Sequence, residues 1–438
     1  MMKELKENFL LNCAFPMADK VMGTCAMKWY RQIVMMSEWS SQKVLEWQTI
    51  QMKKLVEHAY CHTRYYREVM DGIGLKPQDI VSLDDLKLFP VLDRDTIKER
   101  FADLIPDNSK NYPHRKSSTG GSTGEPMKYI CDENTWGFVT AMKIFSWQQY
   151  GYKYGDRYVS LGSTSLFPTN KKSLVHEVYF RLRNTIPLNG MNMDDATCAH
   201  YMEIIRKKNA HYIYGYATAI YLLARYCREN NVRWHFDAVF STSEKLTTLY
   251  REEIEKTWGT QVMDCYGSRD GGVTAYEIEP NMYHVGYSTW LEASSERPSE
   301  LYATNLVDYA FPTIRYANRD EVQMCDKECG GMYNGQLLKE VIGRTSDVVS
   351  FKNGHKLTTT GFSILFRNFN VEAFRMVKKN DSTILVQIQK RKNYTQTEHD
   401  LLYETIRKYV GDEVEIIIEY VDSFVPLANG KRSYLYNQ

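Results

Sequence analysis

The sequence predicts an α/β protein with a large N-terminal domain and a small α+β C-terminal domain. Strand-like and helix-like segments alternate between Arg157 and Cys265, which is typical of an α/β sheet with buried strands. After Gly343 the pattern changes to short strands separated by turn residues. The chain has 438 residues, which is too long for one compact core. We therefore predict two domains, residues 1–342 and 343–438.

The N-terminal region is predicted to be helical. Aromatic residues are frequent in its first 60 positions, and the expected packing anchors are Trp29, Trp39 and Trp47. Ser82 is a suitable cap for a short helix that ends before Pro90, because proline cannot continue a helix. Residues 93–101 predict one more helix.

The alternating region predicts the central sheet. Its predicted strands are Tyr158–Leu161, His211–Tyr214, Ala238–Ser241 and Gln261–Cys265. Its predicted helices are Thr197–Lys208, Ala217–Glu229 and Leu246–Trp258.

The last 95 residues predict the small domain. Two short strands, Val348–Phe351 and His355–Leu357, flank Asn353-Gly354, which is a strong two-residue hairpin signal. A helix, two strands around Lys379–Asp381, a helix near Thr397–Tyr409 and the strand Val414–Tyr420 are expected to follow.

Composition narrows the classes of function. Lys and Arg number 55 and Asp and Glu number 54, so the net charge of +1 provides no field for binding a nucleic-acid backbone or an anionic membrane. The nine scattered cysteines do not form a disulfide framework, and no apolar run reaches the length of a membrane-spanning helix. We expect a cytoplasmic protein without nucleic-acid partners, and the sequence leaves its oligomeric state open.

The most informative segment is the polar loop that starts at Ser117. Three glycines allow its backbone amides to approach an anion, and hydroxyl groups add neutral donors. Such a loop suits the phosphates of ATP, although it lacks the Gly-Lys-Ser/Thr of a Walker loop. The expected phosphate-binding residues are Ser118, Thr119, Gly120, Gly121, Ser122, Thr123 and Gly124.

The same loop also matches G-x-S-x-G, the nucleophile elbow of α/β-hydrolases. An elbow requires an apolar strand before the serine and a helix directly after it. Here residues 112–116 are polar and basic, and residues 127–130 are strand-like. The sequence context therefore argues against a hydrolase.

The loop resembles the signature of the acyl-adenylate-forming superfamily, close to S-S-G-T-T-G-x-P-K. The chain is similar in particular to the phenylacetate–CoA ligase branch and its CapK-like capsule-biosynthesis proteins. Upstream landmarks occur in the order of that branch, namely residues 55–60, 65–68, 82–86 and 89–92. The matching landmarks extend from about residue 54 to about residue 432, and they imply a large adenylate-forming domain with a small C-terminal lid.

Two later motifs resemble nucleotide-binding segments of the family. Residues 241–244 imply an adenine pocket that includes Ser243 and Glu244. The segment Tyr266-Gly267-Ser268-Arg269-Asp270 is similar to Y-G-x-T-E, whose acidic residue helps to hold the Mg²⁺ of ATP. The resemblance therefore assigns a metal-binding and catalytic role to Asp270, and nucleotide contacts to Tyr266, Gly267 and Ser268.

Three motifs complete the resemblance. Residues 312–320 are similar to P-x-x-R-Y-x-x-G-D, which makes Asp320 the acceptor for the ribose hydroxyls. Residues 343–347 are similar to G-R-x-D-D, in which Arg344 reaches the nucleotide and acts in catalysis. Gly430-Lys431 is similar to the C-terminal S-G-K, so Lys431 is expected to meet the reacting carboxylate and the α-phosphate.

The chain departs from the family pattern at several positions. Met127 stands where the loop lysine is expected, with Lys128 beside it. Arg319 replaces a glycine, so a different local turn is expected. Ser346 replaces the acidic residue of the hinge. A cysteine–histidine cluster also occurs in the branch, but this chain keeps only His284, Cys325 and Cys329, with Ile278 near the fourth position. Zinc is therefore not expected.

The implied reaction is ATP-dependent activation of a small-molecule carboxylate, with ATP and Mg²⁺ at the interface of the predicted domains. Transfer of the acyl group to CoA or another acceptor follows. Trp136, Phe138 and Trp147 are candidates for an acyl pocket or for the core. Two other functions remain open: adenylylation of a non-carboxylate cofactor or glycan precursor, and a non-catalytic relative that binds ATP or serves as a scaffold.

Overall fold

The computed structural model contains two compact units. It describes residues 7–118, 127–162, 181, 183–190, 193, 195–294, 299–325, 333–344, 348–351, 356–358, 369–424 and 435–437. The first unit comprises Met1–Tyr158, Thr169–Ile186 and Met263–Val341. The second unit comprises Val159–Pro168, Pro187–Val262 and Ile342–Gln438.

Helices dominate the N-terminal part of the first unit. They are α1 (Phe15–Met22), α2 (Ala26–Ser37), α3 (Ser41–His62), α4 (Arg64–Gly72), α5 (Arg94–Glu99) and α6 (Glu133–Gln148). A π-helical turn (Leu10–Ala14) precedes them, and the 3-10 turns are Pro77–Asp79, Leu83–Leu88 and Ser109–Asn111. Side-chain caps start several helices: Ser40 accepts from the amide of Lys43, and Asp93 accepts from the amide of Thr96.

The predicted tryptophan anchors hold these helices together. Trp29 is buried, and its ring makes edge contacts with Trp47 at 6.4 Å and with Phe138 of α6 at 5.3 Å between centroids. Phe138 and Trp147 are fully buried, so both are core residues. Trp39 is only partly buried.

The first unit carries a large, mostly antiparallel arrangement of strands. Its strands are β7 (Val262–Ser268), β8 (Val273–Glu279), β9 (Met282–Val285), β10 (Thr289–Ala293), β11 (Glu300–Asn305), β12 (Tyr316–Met324) and β13 (Leu337–Arg344). Neighbouring strands follow the order β10-β11-β12-β13-β9-β8-β7. A separate antiparallel pair is formed by β1 (His114–Ser118) and β2 (Lys128–Asp132).

In the second unit, the predicted alternation of strands and helices is confirmed. The strands β3 (Tyr158–Gly162), β4 (Thr185–Asn189), β5 (Tyr212–Tyr216) and β6 (Ala238–Thr242) neighbour one another in the order β6-β5-β3-β4. The helices are α7 (Asp195–Lys208), α8 (Ala217–Glu229) and α9 (Thr248–Trp258). Strands β5 and β6 are parallel, and helix α8 provides the crossover connection that parallel strands need.

The C-terminal residues form a small α+β sheet. Its strand order is β18-β17-β16-β19, from β16 (Val371–Asn380), β17 (Thr383–Lys390), β18 (Glu415–Tyr420) and β19 (Leu435–Asn437). Helix α10 (Gln396–Val410) buries Leu402, Ile406 and Val410 in one core with residues of these strands. The predicted hairpin strands are β14 (Val348–Ser350) and β15 (Lys356–Thr358), which pair antiparallel. The helix predicted between β15 and β16 lies outside the described residues.

The predicted fold class, a large α/β part with a small C-terminal α+β sheet, is therefore confirmed. Among the described residues, no helix is both long and apolar enough to cross a membrane.

Candidate functional site

The predicted phosphate loop connects two antiparallel strands. Ser118 is the last residue of β1 and pairs with Lys128 at the start of β2, while residues 119–126 lie outside the described residues. Helix α6 begins only after β2 ends at Asp132. The next described element after the loop is thus a strand, whereas a hydrolase elbow leads directly into a helix.

The residue in the place of the loop lysine is apolar and buried. Met127 exposes only 2% of its surface, and its sulfur lies 4.0 Å from the hydroxyl of Tyr316. The neighbouring Lys128 is exposed. Met127 therefore packs into the protein, and Lys128 is an exposed cation at this end of β2.

Asp270 lies in a dense polar cluster between β7 and β8. One carboxylate oxygen accepts a hydrogen bond from the Ser268 hydroxyl, and the other accepts from the Tyr316 hydroxyl at 2.7 Å. The same oxygen lies 3.4 Å from the guanidinium of Arg94, and 17% of the Arg94 side chain and 9% of the Asp270 side chain are exposed. A largely buried cation therefore balances the carboxylate.

Asp320 belongs to a second cluster in the same unit. Its Oδ2 accepts from the Tyr266 hydroxyl at 2.7 Å and from the Asn318 amide at 3.1 Å. The Asp320 backbone N–H donates to the Asn318 side chain at 3.0 Å, which fixes the position of the carboxylate. Burial, and then the negative charge of Asp320, raise the pKa of Tyr266 well above its usual value, so Tyr266 remains a donor at neutral pH.

Asn318 and Asp320 of this second cluster lie in a bulge of β12. Ala317 pairs with Tyr302 and Glu321 pairs with Glu300, so β12 contains two more residues than β11 over this stretch. Arg319 lies in the bulge with φ +66°, the left-handed region that favours glycine. Arg319 therefore adopts a backbone conformation that glycine occupies more readily. Such backbone strain is frequent at functional sites.

The predicted adenine segment belongs to the second unit. Ser243 follows β6 and also has a left-handed backbone, with φ +68°. Glu244 accepts a hydrogen bond at 2.9 Å from the amide of Thr218, at the start of α8. The next residue, Lys245, donates at 2.8 Å to the carbonyl of Ile342, two positions before Arg344.

The remaining predicted residues are described unevenly. Gly267 is exposed on β7, where it pairs with Thr274 of β8. Arg344 ends β13, but only its backbone is described. Lys431, Ser346 and loop residues 119–124 lie outside the described residues, so their roles stay predictions.

His284, one of the candidate zinc ligands, is fully enclosed by protein. Burial lowers its pKa to about 4, and its Nε2 lies 3.4 Å from the Asn334 carbonyl. The ring packs against Tyr276 and Tyr287. Within the described ranges, which exclude Cys329, no three His, Cys, Asp or Glu side chains are grouped as metal ligands.

Three residues of the two clusters were absent from the predicted site. Tyr316 and Asn318 lie inside a motif that had been singled out, so their proximity in sequence to Asp320 was a usable signal. Arg94 offered no such signal. It lies 176 positions before Asp270 and meets it only in the folded chain.

Comparisons with known proteins find sequence similarity to the proteins that the motifs resemble. Residues 349–438 match the family described as CapK C-terminal domain. Protein CapK of Staphylococcus aureus is 23% identical over 405 residues, which cover 90% of this chain and 89% of that protein. Phenylacetate-coenzyme A ligase of Escherichia coli (strain K12) is 23% identical over 441 residues, which cover 89% of this chain and 94% of that protein.

A solved structure shares the fold. It is 2-hydroxyisobutyryl-CoA ligase in the postadenylation state in complex with R3-HIB-AMP, with a TM-score of 0.69 and 14% identity. The match covers 92% of this chain and 91% of that chain. The chain is therefore similar in sequence to phenylacetate-coenzyme A ligases and shares the fold of a CoA ligase. It is also similar to CapK over most of its length, and its C-terminal residues match the CapK C-terminal domain family.

Proposed function

We propose that this protein uses ATP to activate a small carboxylic acid as an acyl-adenylate and then transfers the acyl group to CoA or another acceptor. The observation that carries the proposal is the pair of polar clusters in the first unit. They surround Asp270 and Asp320, the two carboxylates that the motifs independently assign to the metal and to the ribose.

The Asp320 cluster is suited to recognise ribose. Tyr266 and Asn318 hold Oδ2, and the buried backbone fixes the plane of the carboxylate, so its acceptor geometry is set before ATP binds. Gly267 lacks a side chain on the neighbouring exposed position of β7, which leaves room for a ligand. Ser243, Glu244 and Ser268 are proposed to contact the nucleotide as well, and the loop residues 118–124 to cradle its phosphates.

The residues around Asp270 fit Mg²⁺. This cation is usually bound in proteins by one or two carboxylates together with substrate phosphates, and Asp270 supplies one carboxylate. Bound Mg²⁺ would neutralise charge on the β- and γ-phosphates. Tyr316 and Ser268 orient the carboxylate by their hydrogen bonds, and Arg94 supplies a nearby positive charge that also favours anionic phosphates.

The chemistry needs no covalent enzyme intermediate. A carboxylate oxygen of the acid attacks the α-phosphorus, the bond to the bridging oxygen breaks, and pyrophosphate leaves. We propose that Lys431 reduces the repulsion between the two anions and that Arg344 holds the nucleotide. In the second step the acceptor, for CoA its thiol sulfur, attacks the acyl carbon, AMP leaves with the bonding electron pair, and the acceptor proton is released.

One observation favours a second candidate, an ATP-binding relative that does not catalyse. Met127 is buried where the family motif carries a lysine, so the loop lacks that cation in its usual place. Lys128 is exposed and belongs to the same strand end, which is why catalysis remains our first proposal.

The decisive experiment is ATP–pyrophosphate exchange across a panel of carboxylic acids. Exchange that depends on the acid supports the proposal. ATP binding without exchange for any acid would favour the non-catalytic candidate, and AMP incorporation into a hydroxyl or phosphate compound would favour adenylylation of another cofactor.

A further inference from the structure

The Asp270 carboxylate is largely satisfied by donors of the protein itself. Its Oδ2 accepts a hydrogen bond from the Tyr316 hydroxyl at 2.7 Å and lies 3.4 Å from Nη2 of Arg94. Its Oδ1 accepts from the Ser268 hydroxyl, which is its only hydrogen-bond donor among the described residues. Each carboxylate oxygen offers about two lone pairs, so Oδ2 is fully used and Oδ1 keeps room for about one further ligand.

The position of Arg94 is fixed by contacts of its neighbours with β12. Leu92 forms a parallel bridge with Tyr316 at the start of that strand. Asp95, on the other side of Arg94 along the chain, lies 3.8 Å from the guanidinium of Arg319 in the same strand. The Nε of Arg94 itself donates to the Tyr316 hydroxyl at 3.3 Å. Helix α5 therefore begins against β12, and this contact holds the guanidinium beside the carboxylate.

The two charges of this ion pair are mostly shielded from solvent. The exposed fraction of the side chain is 17% for Arg94 and 9% for Asp270. Water screens charges weakly at such positions, so the guanidinium and the carboxylate attract each other strongly, and together they are neutral. A divalent cation that approached Asp270 alone would lie close to the positive guanidinium and would be repelled by it.

The surroundings supply few other ligands for a cation. Within the described part of the chain, no three His, Cys, Asp or Glu side chains are grouped as metal ligands. In proteins Mg²⁺ keeps several water molecules and usually binds through one or two carboxylates together with substrate phosphates. Asp270 contributes one carboxylate oxygen, so the negative charge that outweighs Arg94 has to come from the phosphates of ATP.

We propose that Arg94 is a counter-ion that prevents Asp270 from binding a divalent cation alone, so that the cation and ATP bind only together. This inference rests on the proposed function, because it describes how the metal-binding carboxylate of the same site is controlled. Free Mg²⁺ then does not occupy Asp270, and the carboxylate stays available for ATP that arrives with its own cation.

The first test measures binding of Mn²⁺ without nucleotide by electron paramagnetic resonance, since Mn²⁺ takes the same kind of oxygen ligands as Mg²⁺. R94Q should gain one site, with a Kd for Mn²⁺ about ten- to a hundredfold lower than that of the wild type, because a poorly screened positive charge is removed. R94K keeps the charge and should bind Mn²⁺ as weakly as the wild type. The double variant R94Q/D270N should lose the gained site.

The matched control is R100Q, which removes an arginine from another aspartate of the same unit. Arg100 donates to Asp103 at 2.6 Å, and R100Q should bind Mn²⁺ as the wild type does. The inference is overturned if the wild type binds Mn²⁺ without nucleotide as tightly as R94Q does. It is also overturned if the gained site persists in R94Q/D270N or occurs in R100Q.

The second test separates this inference from the proposed function. Calorimetric titration of a non-hydrolysable ATP analogue, with and without saturating Mn²⁺, gives two Kd values whose ratio measures the coupling between cation and nucleotide. The ratio should be roughly tenfold larger in the wild type than in R94Q, because Arg94 repels the cation most when no phosphates offset its charge. An equal ratio in the two proteins counts against the role of Arg94. An analogue that fails to bind the wild type, with or without Mn²⁺, counts against the proposed function.

Discussion

Replacing Asp320 by asparagine changes one oxygen of the proposed ribose site and little else. In the native protein Oδ2 accepts from Tyr266 at 2.7 Å and from Asn318 at 3.1 Å. The side-chain amide of D320N can keep its single oxygen in the position that accepts from these two donors. Its NH₂ group then points to the place where the proposal requires an acceptor, and the negative charge is lost.

The expected loss follows from the kind of bond that is removed. A hydrogen bond to a charged group contributes about 1.5–3 kcal/mol, and about 1.4 kcal/mol corresponds to tenfold in an equilibrium constant. D320N should therefore raise the Kd for a non-hydrolysable ATP analogue by about ten- to a hundredfold. Tyr266 keeps a hydrogen-bonding partner in this variant, so the unfolding midpoint should fall much less than in D320A.

Calorimetric titration of the analogue measures the Kd, and circular dichroism checks the fold. The matched control is E277Q, which makes the same chemical change at a buried carboxylate of the same unit. Glu277 accepts from the amides of Asp264 at 3.0 Å and Asn281 at 2.7 Å and is not a predicted site residue. If folded D320N binds the analogue as tightly as the wild type does, Asp320 is not part of the site. If E277Q loses as much affinity for the analogue as D320N does, the loss reflects general destabilisation of the fold.

Three further predictions concern catalysis, pH and packing. K431A should slow acyl-adenylate formation by about 10²–10³-fold while sparing ATP binding and acyl transfer from preformed acyl-AMP; equal losses in both half-reactions would contradict a specific role. Burial, and then the charge of Asp132, raise the pKa of Asp308 well above its usual value, so this carboxyl stabilises the fold below its unfolded pKa and loses that contribution as pH rises through the folded value. D308N should therefore flatten the decrease of the free energy of unfolding as pH rises above the usual pKa of an aspartate, and an equally steep decrease in D308N would refute this. G215A should cost about 1–3 kcal/mol in urea unfolding because its Cβ would clash with the backbone of β3, whereas G72A, where the space is open, should be neutral.

The succession of helices and strands was predictable because it depends on local patterns. Helix α8 has the predicted bounds, and the strands around Lys379–Asp381 pair as expected. In both cases the spacing of apolar residues matches the period of the element, and turn residues mark its ends. The bulge in β12 could not be predicted, because it depends on the register against β11 and places an arginine in a glycine-like conformation.

The sequence by itself predicted the class of protein and the carboxylates of its candidate site, because those motifs are short contiguous segments whose residues are read directly. Only the tertiary structure decided which side chains surround them. Arg94 meets Asp270 across 176 positions. Such a contact depends on how the chain folds back on itself, so no local pattern in the sequence reveals it.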